Sequence, residues 1–384
     1  MRVLLLTSGY APIIGGAETY AQTLAEGLAA GGHEVLVVTD QVAGRPRSER
    51  SGRVAVARLS GYRTLLDDPS KLPWEQLYFG VLPELEEVLG KFTPQLVIAN
   101  NLETTVIGRV VASELDVPLV GAYHEHAPEE EPFGQGKMAL GYRFLAPDLV
   151  LAGSRSYQAR ARRHLPAERV RLIYHGVDTD TFRPDVSGAE LRARYGIAPD
   201  EKLVVNSGRL KPRKGQLALL RAFAAQDDPM ARLLIVGGVS SASLEHAELL
   251  ESETERLGLC ARVRIDREVT YEQIPAVLAA ADVVAQPSTS EGLGLALIEA
   301  MAMGRPVIAT NIPGFDEVLT ADGLAVVVEP DDVDGLATAL RTLLADASAR
   351  AELAASGHRH VVEHFSRKRM LDQTEAALLE VVRS

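Results

Sequence analysis

Short apolar runs recur along this chain, each closing on small or polar residues, and most are followed by a helical pattern. "RVLLLT" (2–7) and "EVLVVT" (34–39) are the first two. Between them, "GGAETYAQTLAEGLAAGG" places Tyr20, Leu24 and Leu28 four apart, with Ala17 and Ala21 on the same side. That spacing predicts an amphipathic helix, stopped by Gly31 and Gly32. Strand, helix and strand within forty residues form a βαβ unit and so imply a parallel sheet. The rhythm continues with "PQLVIAN" (94–100), "VPLVGAY" (117–123) and "DLVLAGS" (148–154). Residues 41–75, rich in Arg, Pro and Ser, carry no clear pattern.

A second series starts near residue 202: "KLVVNSG", "ARLLIVGG", "ARVRID", "ADVVAQP", "RPVIAT" and "GLAVVVE". A chain of 384 residues exceeds what one core usually serves. The expected architecture is therefore α/β, with two Rossmann-like, doubly wound parallel-sheet domains facing each other across a cleft. The polar stretch "HGVDTDTFRPDVSGAELRARYGIAPDEK" separates the two series, with the linker near 178–186. This divides the chain into an N-terminal domain, 1–182, and a C-terminal domain, 183–365.

Composition excludes several classes. Forty basic against 52 acidic side chains, a net −12, argue against nucleic acid as the partner. One cysteine, Cys260, rules out an intrachain disulfide or a cysteine metal cluster, and it fits a reducing cytoplasm. The opening apolar run is too short for a signal-peptide core. No run approaches the roughly 20 residues of a membrane span.

Four stretches carry chemistry. Gly15 and Gly16 precede the first helix, where glycine admits a ligand to the backbone and the helix end favours an anion. A tight turn without ligand accounts for them equally well, and neither GxGxxG nor a P-loop is present. In "NSGRLKPRKGQ" (206–216), Arg209, Lys211, Arg213 and Lys214 gather at the end of a strand. Such a loop suits a diphosphate better than it suits bare solvent. "STSEGLGLALIEAMAMGRPVIAT" (288–310) sets Glu291 and Glu299 eight positions apart in an otherwise apolar segment, with Glu299 expected about two turns inside a helix. Ionised carboxylates are rarely left in such surroundings without a partner, and pairs of sugar hydroxyls are suitable ones. In "YHEHAPEEEPFGQGK" (123–137), His124 and His126 follow a buried strand and lead into the acidic residues Glu125, Glu129, Glu130 and Glu131. The spacing is not that of a zinc site.

With these stretches in view, the chain resembles the retaining glycosyltransferases of family 4, of GT-B fold. The likeness runs along nearly the whole length, through "GGAETYAQTLAEGLAAGGHEVLVVT", "HGVDTDTFRP", "SGRLKPRKG" and "PSTSEGLGLALIEAMAMGRPVIAT". It implies a transferase that moves a hexose, N-acetylhexosamine or pentose from a nucleotide diphosphate sugar, with a UDP-sugar expected from family frequency. It implies that Gly16 admits the donor diphosphate and that Arg209 and Lys214 neutralise it. Glu291 would contact the transferred sugar beside the backbone of Gly292, Leu293, Gly294 and Leu295. Glu299 would bind the ribose, and His124 would lie near the sugar and the acceptor. It implies no metal and no cofactor beyond the donor, and a last helix, 366–384, packed back on the first domain.

Two departures stand out. "VRIDREV" (263–269) has Arg267 where relatives carry glycine near the base, and Leu293 replaces the usual phenylalanine. For the acceptor, the acidic run beside His124 favours a small polar, cationic molecule such as an aminocyclitol or amino sugar, with Glu125 among its contacts. The arginines of "SRSYQARARRHLPAERVR" would instead suit a phosphorylated or lipid-linked acceptor, but that helix lacks an apolar face, which disfavours peripheral membrane contact. A sugar-nucleotide epimerase and a non-catalytic binder are the readings of other classes.

Overall fold

The computed structural model describes residues 1–13, 15–60, 81–124, 134–239 and 243–383. The chain divides into two compact units, Met1–Tyr174 with Arg369–Ser384, and His175–Lys368. The change of unit therefore precedes the polar stretch in which sequence placed the linker. The reason is that Val177 is bridged to Ser366 and Arg367 binds Asp178, which ties this stretch to the second unit.

The N-terminal unit is built on an eight-stranded sheet of order β3-β4-β2-β1-β5-β6-β7-β8. Its strands are β1 (Arg2–Leu6), β2 (Glu34–Asp40), β3 (Ser48–Ser51), β4 (Val54–Leu59), β5 (Leu96–Ala99), β6 (Leu119–Tyr123), β7 (Leu149–Ala152) and β8 (Val170–Leu172). All pairings are parallel except β3 with β4. The continuous apolar run of β1 follows from burial on both faces. Val3 and Leu5 enter one core cluster, while Leu4 and Leu6 enter the other. Helix α1 (Gly16–Ala30) covers the first cluster with Tyr20, Ala21, Leu24, Ala25 and Leu28. The last helix, Arg367–Arg383, adds Met370, Ala377 and Leu378 to the same cluster. It approaches α1 so closely that a Cβ on Gly27 would lie 2.4 Å from the Leu371 methyls.

The C-terminal unit carries a six-stranded, wholly parallel sheet of order β11-β10-β9-β12-β13-β14. Its strands are β9 (Lys202–Ser207), β10 (Ala231–Val236), β11 (Val263–Asp266), β12 (Val283–Gln286), β13 (Val307–Thr310) and β14 (Val326–Val328).

Each sheet has one place where consecutive connections run off in opposite directions. In the first it lies between β1 and β5, and in the second between β9 and β12. Loops leaving the carboxyl ends of two such strands diverge and leave a crevice, where open α/β sheets bind their ligands.

Candidate active site

At the second switch point, the loop after β9 meets the loop after β12. The backbone N–H of Thr289 donates to the Arg213 carbonyl at 2.8 Å. Gly215 has φ of +68°, and a Cβ there would stand 1.9 Å from the Pro287 carbonyl oxygen, so only glycine permits this approach. The contact brings the basic loop onto the glutamate motif. Lys214 Nζ donates to Glu291 Oε1 at 2.5 Å, and Ser288 Oγ donates to the same oxygen at 2.8 Å. Arg213 Nη1 reaches Glu291 Oε2 at 3.2 Å and the Ser290 carbonyl at 2.7 Å. Burial pushes the Glu291 carboxyl up, but Lys214, Arg213 and Ser288 outweigh it and hold the group below the usual carboxylate range. Glu291 is thus a buried, ionised carboxylate clamped between two cations.

Arg209, from the same loop, is exposed, and its guanidinium binds no other described residue. Its carbonyl is held by Gln216 Nε2 at 3.2 Å. Partial burial and then the charges of Arg209, Arg213 and Lys214 lower the pKa of Lys211. The loop therefore concentrates positive charge that one carboxylate does not neutralise, which suits a ligand of higher negative charge.

The helix Leu295–Ala302 begins later than sequence suggested, so Glu299 stands one turn inside it rather than two. The cause is Gly294, which has φ of +88° at the helix entrance and would bring a Cβ within 2.3 Å of the Phe315 ring. Glu299 is 8% exposed and has no cation bound to it among the described residues. Its Oε1 accepts from the Tyr271 hydroxyl at 2.9 Å. Burial pushes the carboxyl up to about 7, only partly opposed by the Tyr271 hydrogen bond and the field of Lys214. Each glutamate therefore has a protein partner as well, Lys214 for Glu291 and Tyr271 for Glu299. Sequence missed Arg213 as a direct partner of Glu291. It missed Tyr271 altogether, because no spacing rule links residues so far apart.

The first switch point is dressed differently. Thr7 and Ser8 follow β1, and Asn100 and Asn101 follow β5. Asn101 Nδ2 donates to Ser8 Oγ at 2.6 Å, and Asn100 Nδ2 to the Ala17 carbonyl at 3.0 Å. His124, just past β6, contacts Asn100 Oδ1 through Nε2 at 3.1 Å, and its ring lies 4.5 Å from that of Tyr20. An amide oxygen only accepts, so Nε2 carries the proton. A Cβ on Gly15 would fall 2.2 Å from the Glu18 carboxylate, whereas one on Gly16 would meet nothing within 4 Å. A Cβ at Gly15 would thus require Glu18 to move, and the fold gives no reason of its own for Gly16.

Glu125, His126 and the acidic residues 129–131 lie outside the described residues. In the basic stretch, Arg160 is buried, 5.4 Å from the Tyr157 ring, and Arg171 pairs with Glu380 at 2.7 Å. Among the described residues no cluster of His, Cys, Asp and Glu is arranged to hold a metal, and no helix is long and apolar enough to cross a membrane.

Residues 14–181 match the family model described as Glycosyltransferase Family 4, and residues 188–360 match Glycosyl transferases group 1. A GDP-mannose-dependent alpha-(1-6)-phosphatidylinositol monomannoside mannosyltransferase of Mycolicibacterium smegmatis is 30% identical, over 94% of both chains. A D-inositol 3-phosphate glycosyltransferase of Rhodococcus jostii is 34% identical, over 62% of this chain and 52% of its own. Among solved structures, sucrose-phosphate synthase from Thermosynechococcus elongatus superposes with a TM-score of 0.81 at 25% identity, over 99% of this chain and 98% of the other. Anabaena HepE in complex with UDP-glucose does so with a TM-score of 0.78 at 25% identity, over 99% and 100%.

Proposed function

The chain belongs to the family 4 glycosyltransferases of GT-B fold, and from that premise we propose that it transfers a hexose, with retention, from a nucleotide diphosphate sugar to an inositol-bearing, phosphorylated acceptor. The observation that carries the reading is the clamp of Lys214 and Arg213 on Glu291, beside the uncommitted guanidinium of Arg209. As the bond between the sugar C1 and the β-phosphate oxygen breaks, its electron pair leaves with the diphosphate. Arg209 and Lys214 neutralise that developing charge, and preorganised charge of this kind is usually a large catalytic contribution. The acceptor oxygen bonds to C1 on the same face, and its proton passes to the departing phosphate oxygen. Glu291 takes hydroxyls of the transferred sugar, and Glu299 takes those of the ribose. Gly16 and His124 keep the roles that the family resemblance implies for them.

GDP-mannose is the first donor to test, because the relative that aligns over most of both chains uses it by name. A UDP-sugar is the second reading, supported by the UDP-glucose complex of HepE. The acceptor follows the relatives, which act on phosphatidylinositol monomannoside and D-inositol 3-phosphate. An aminated acceptor, which the acidic run beside His124 suggests, is the second reading for the acceptor, and the names of both relatives favour the phosphorylated one. The test is a thermal-shift panel of GDP, UDP, ADP and TDP, followed by transfer from the matching sugar nucleotides to inositol phosphates and phosphatidylinositol mannosides. GDP stabilising the protein by about 2.7 kcal/mol at 100 times its dissociation constant, with an α-linked product from GDP-mannose, is the expected result. A shift by UDP alone, with no turnover of GDP-mannose, overturns the donor assignment.

A further inference from the structure

Glu299 is buried and binds no cation among the described residues, so something else must hold its carboxylate in one orientation. We infer that Tyr271 is the positioning residue for donor binding: its hydroxyl, donating to Glu299 Oε1 at 2.9 Å, fixes the carboxylate so that Oε2 is presented to the ribose hydroxyls. The inference rests on the reading of Glu299 as the ribose-binding carboxylate. Oε2 accepts no hydrogen bond from any described residue and is not fully enclosed.

The tyrosine is itself held. It opens the short turn Tyr271–Gln273, which is closed by a reciprocal pair of bonds between Thr270 and Gln273. Its ring packs at 6.0 Å from Phe182, a fully buried side chain. Phe182 is fixed by its backbone N–H on the Asp178 carbonyl at 2.8 Å, and Arg367 Nη1 binds the Asp178 carboxylate at 2.9 Å. The hydroxyl therefore meets Glu299 from a supported position, as a donor that orients another side chain must.

A consequence is a link between donor binding and pH. Two hydroxyl donors are best met by an ionised carboxylate, and burial raises the pKa of this one into the neutral range. The groups that face it are Tyr271 and, through its field, Lys214; Asp178 acts on Tyr271 from the other side. On the helix Ala347–His364, which packs on Leu295–Ala302, His358 binds the Ala302 carbonyl and His360 the Val318 carbonyl, so neither binds the carboxylate. Removing the tyrosine hydroxyl takes away a bond that favours the charged form. Ionisation then requires a higher pH.

The test is steady-state kinetics from pH 6 to 9 on Tyr271→Phe and Glu299→Gln, each checked for folding by circular dichroism. For Tyr271→Phe the expected result is a donor KM raised about tenfold near pH 7, kcat within about twofold, and a loss that shrinks towards pH 9. For Glu299→Gln the KM should be raised with no inflection near neutral pH. A Tyr271→Phe KM that is unchanged overturns the positioning role while leaving Glu299 as ribose ligand, and a KM raised equally at every pH overturns the link to pH. A Glu299→Gln KM equal to that of the wild type overturns the ribose reading beneath it.

Discussion

The two sheets share one device and dress it in opposite chemistry. Both have a switch point, between β1 and β5 in the N-terminal unit and between β9 and β12 in the C-terminal unit. At the first, the polar groups are Thr7, Ser8, Asn100, Asn101 and His124, joined by hydrogen bonds among themselves and to the backbone. At the second they are charged: Lys211, Arg213, Lys214, Glu291 and Glu299. Topology thus decides where a ligand can enter a sheet of this kind, and the loop side chains decide what enters. A neutral, hydrogen-bonding lining suits hydroxyl-rich rings. A cationic lining with buried carboxylates suits a nucleotide diphosphate carrying sugars.

Removing one cation from the charged switch point tests that contrast most severely. Lys214→Ala should lower kcat by about 10²–10³-fold, the usual cost of losing one preorganised charge stabiliser. The fold should survive, because Glu291 keeps Arg213 and Ser288 as partners. The measurement is turnover alongside the far-ultraviolet spectrum and Tm. Turnover within about threefold of the wild type, in a folded variant, would mean that the cations serve structure and not the leaving group.

The next effect comes from the two carboxylates of the charged site. Glu291 is held ionised, whereas Glu299 has its pKa raised from 4.5 to about 7. Below about pH 4.5 Glu299 is protonated in both the folded and the unfolded chain. Between there and about pH 7 only the unfolded chain ionises, so folding loses stability as pH rises, and above pH 7 the loss is constant. The whole loss is about 3 kcal/mol at most. Glu299→Gln escapes it. Denaturant titrations at pH 5 and pH 8 should therefore show the variant gaining on the wild type at the higher pH. Parallel stabilities at both values would show that the carboxylate stays ionised, and the contrast with Glu291 would disappear.

Much of this was legible before any coordinates. Strands buried on both faces leave continuous apolar runs, which is why β1, β2, β5, β6, β7, β9, β10, β12 and β13 stand out in the sequence; the edge strands β11 and β14 are only partly buried and show through Val263, Ile265 and Val326–Val328. β3 and β4 did not. Ser48–Ser51 is a polar edge strand, and β4 carries Arg58, 2% exposed, bound to Glu49 and to the Ala11 carbonyl, both at 2.8 Å. A buried arginine with distant partners looks like a loop residue from sequence. The cationic loop and the two glutamates were visible because charge inside an apolar pattern is conspicuous. Their pairing was not, since Lys214 meets Glu291, and Tyr271 meets Glu299, only through the order of strands in the sheet.

The smallest effect on stability belongs to the neutral switch point, and it separates fold from function most cleanly. Gly16 opens α1, and a Cβ there meets no atom within 4 Å. Its neighbour Gly15 is different, because a Cβ would displace the Glu18 carboxylate. Alanine at a compatible helical position is neutral or gains up to about 1 kcal/mol, since glycine loses more freedom on folding. Gly16→Ala should therefore leave Tm unchanged or slightly raised, as calorimetry would read it. If glycine is kept there to admit a ligand to the backbone, the same variant should lose turnover at least tenfold. A variant as stable and as active as the wild type would remove Gly16 from the site. It would also leave the neutral switch point resting on Asn100 and His124.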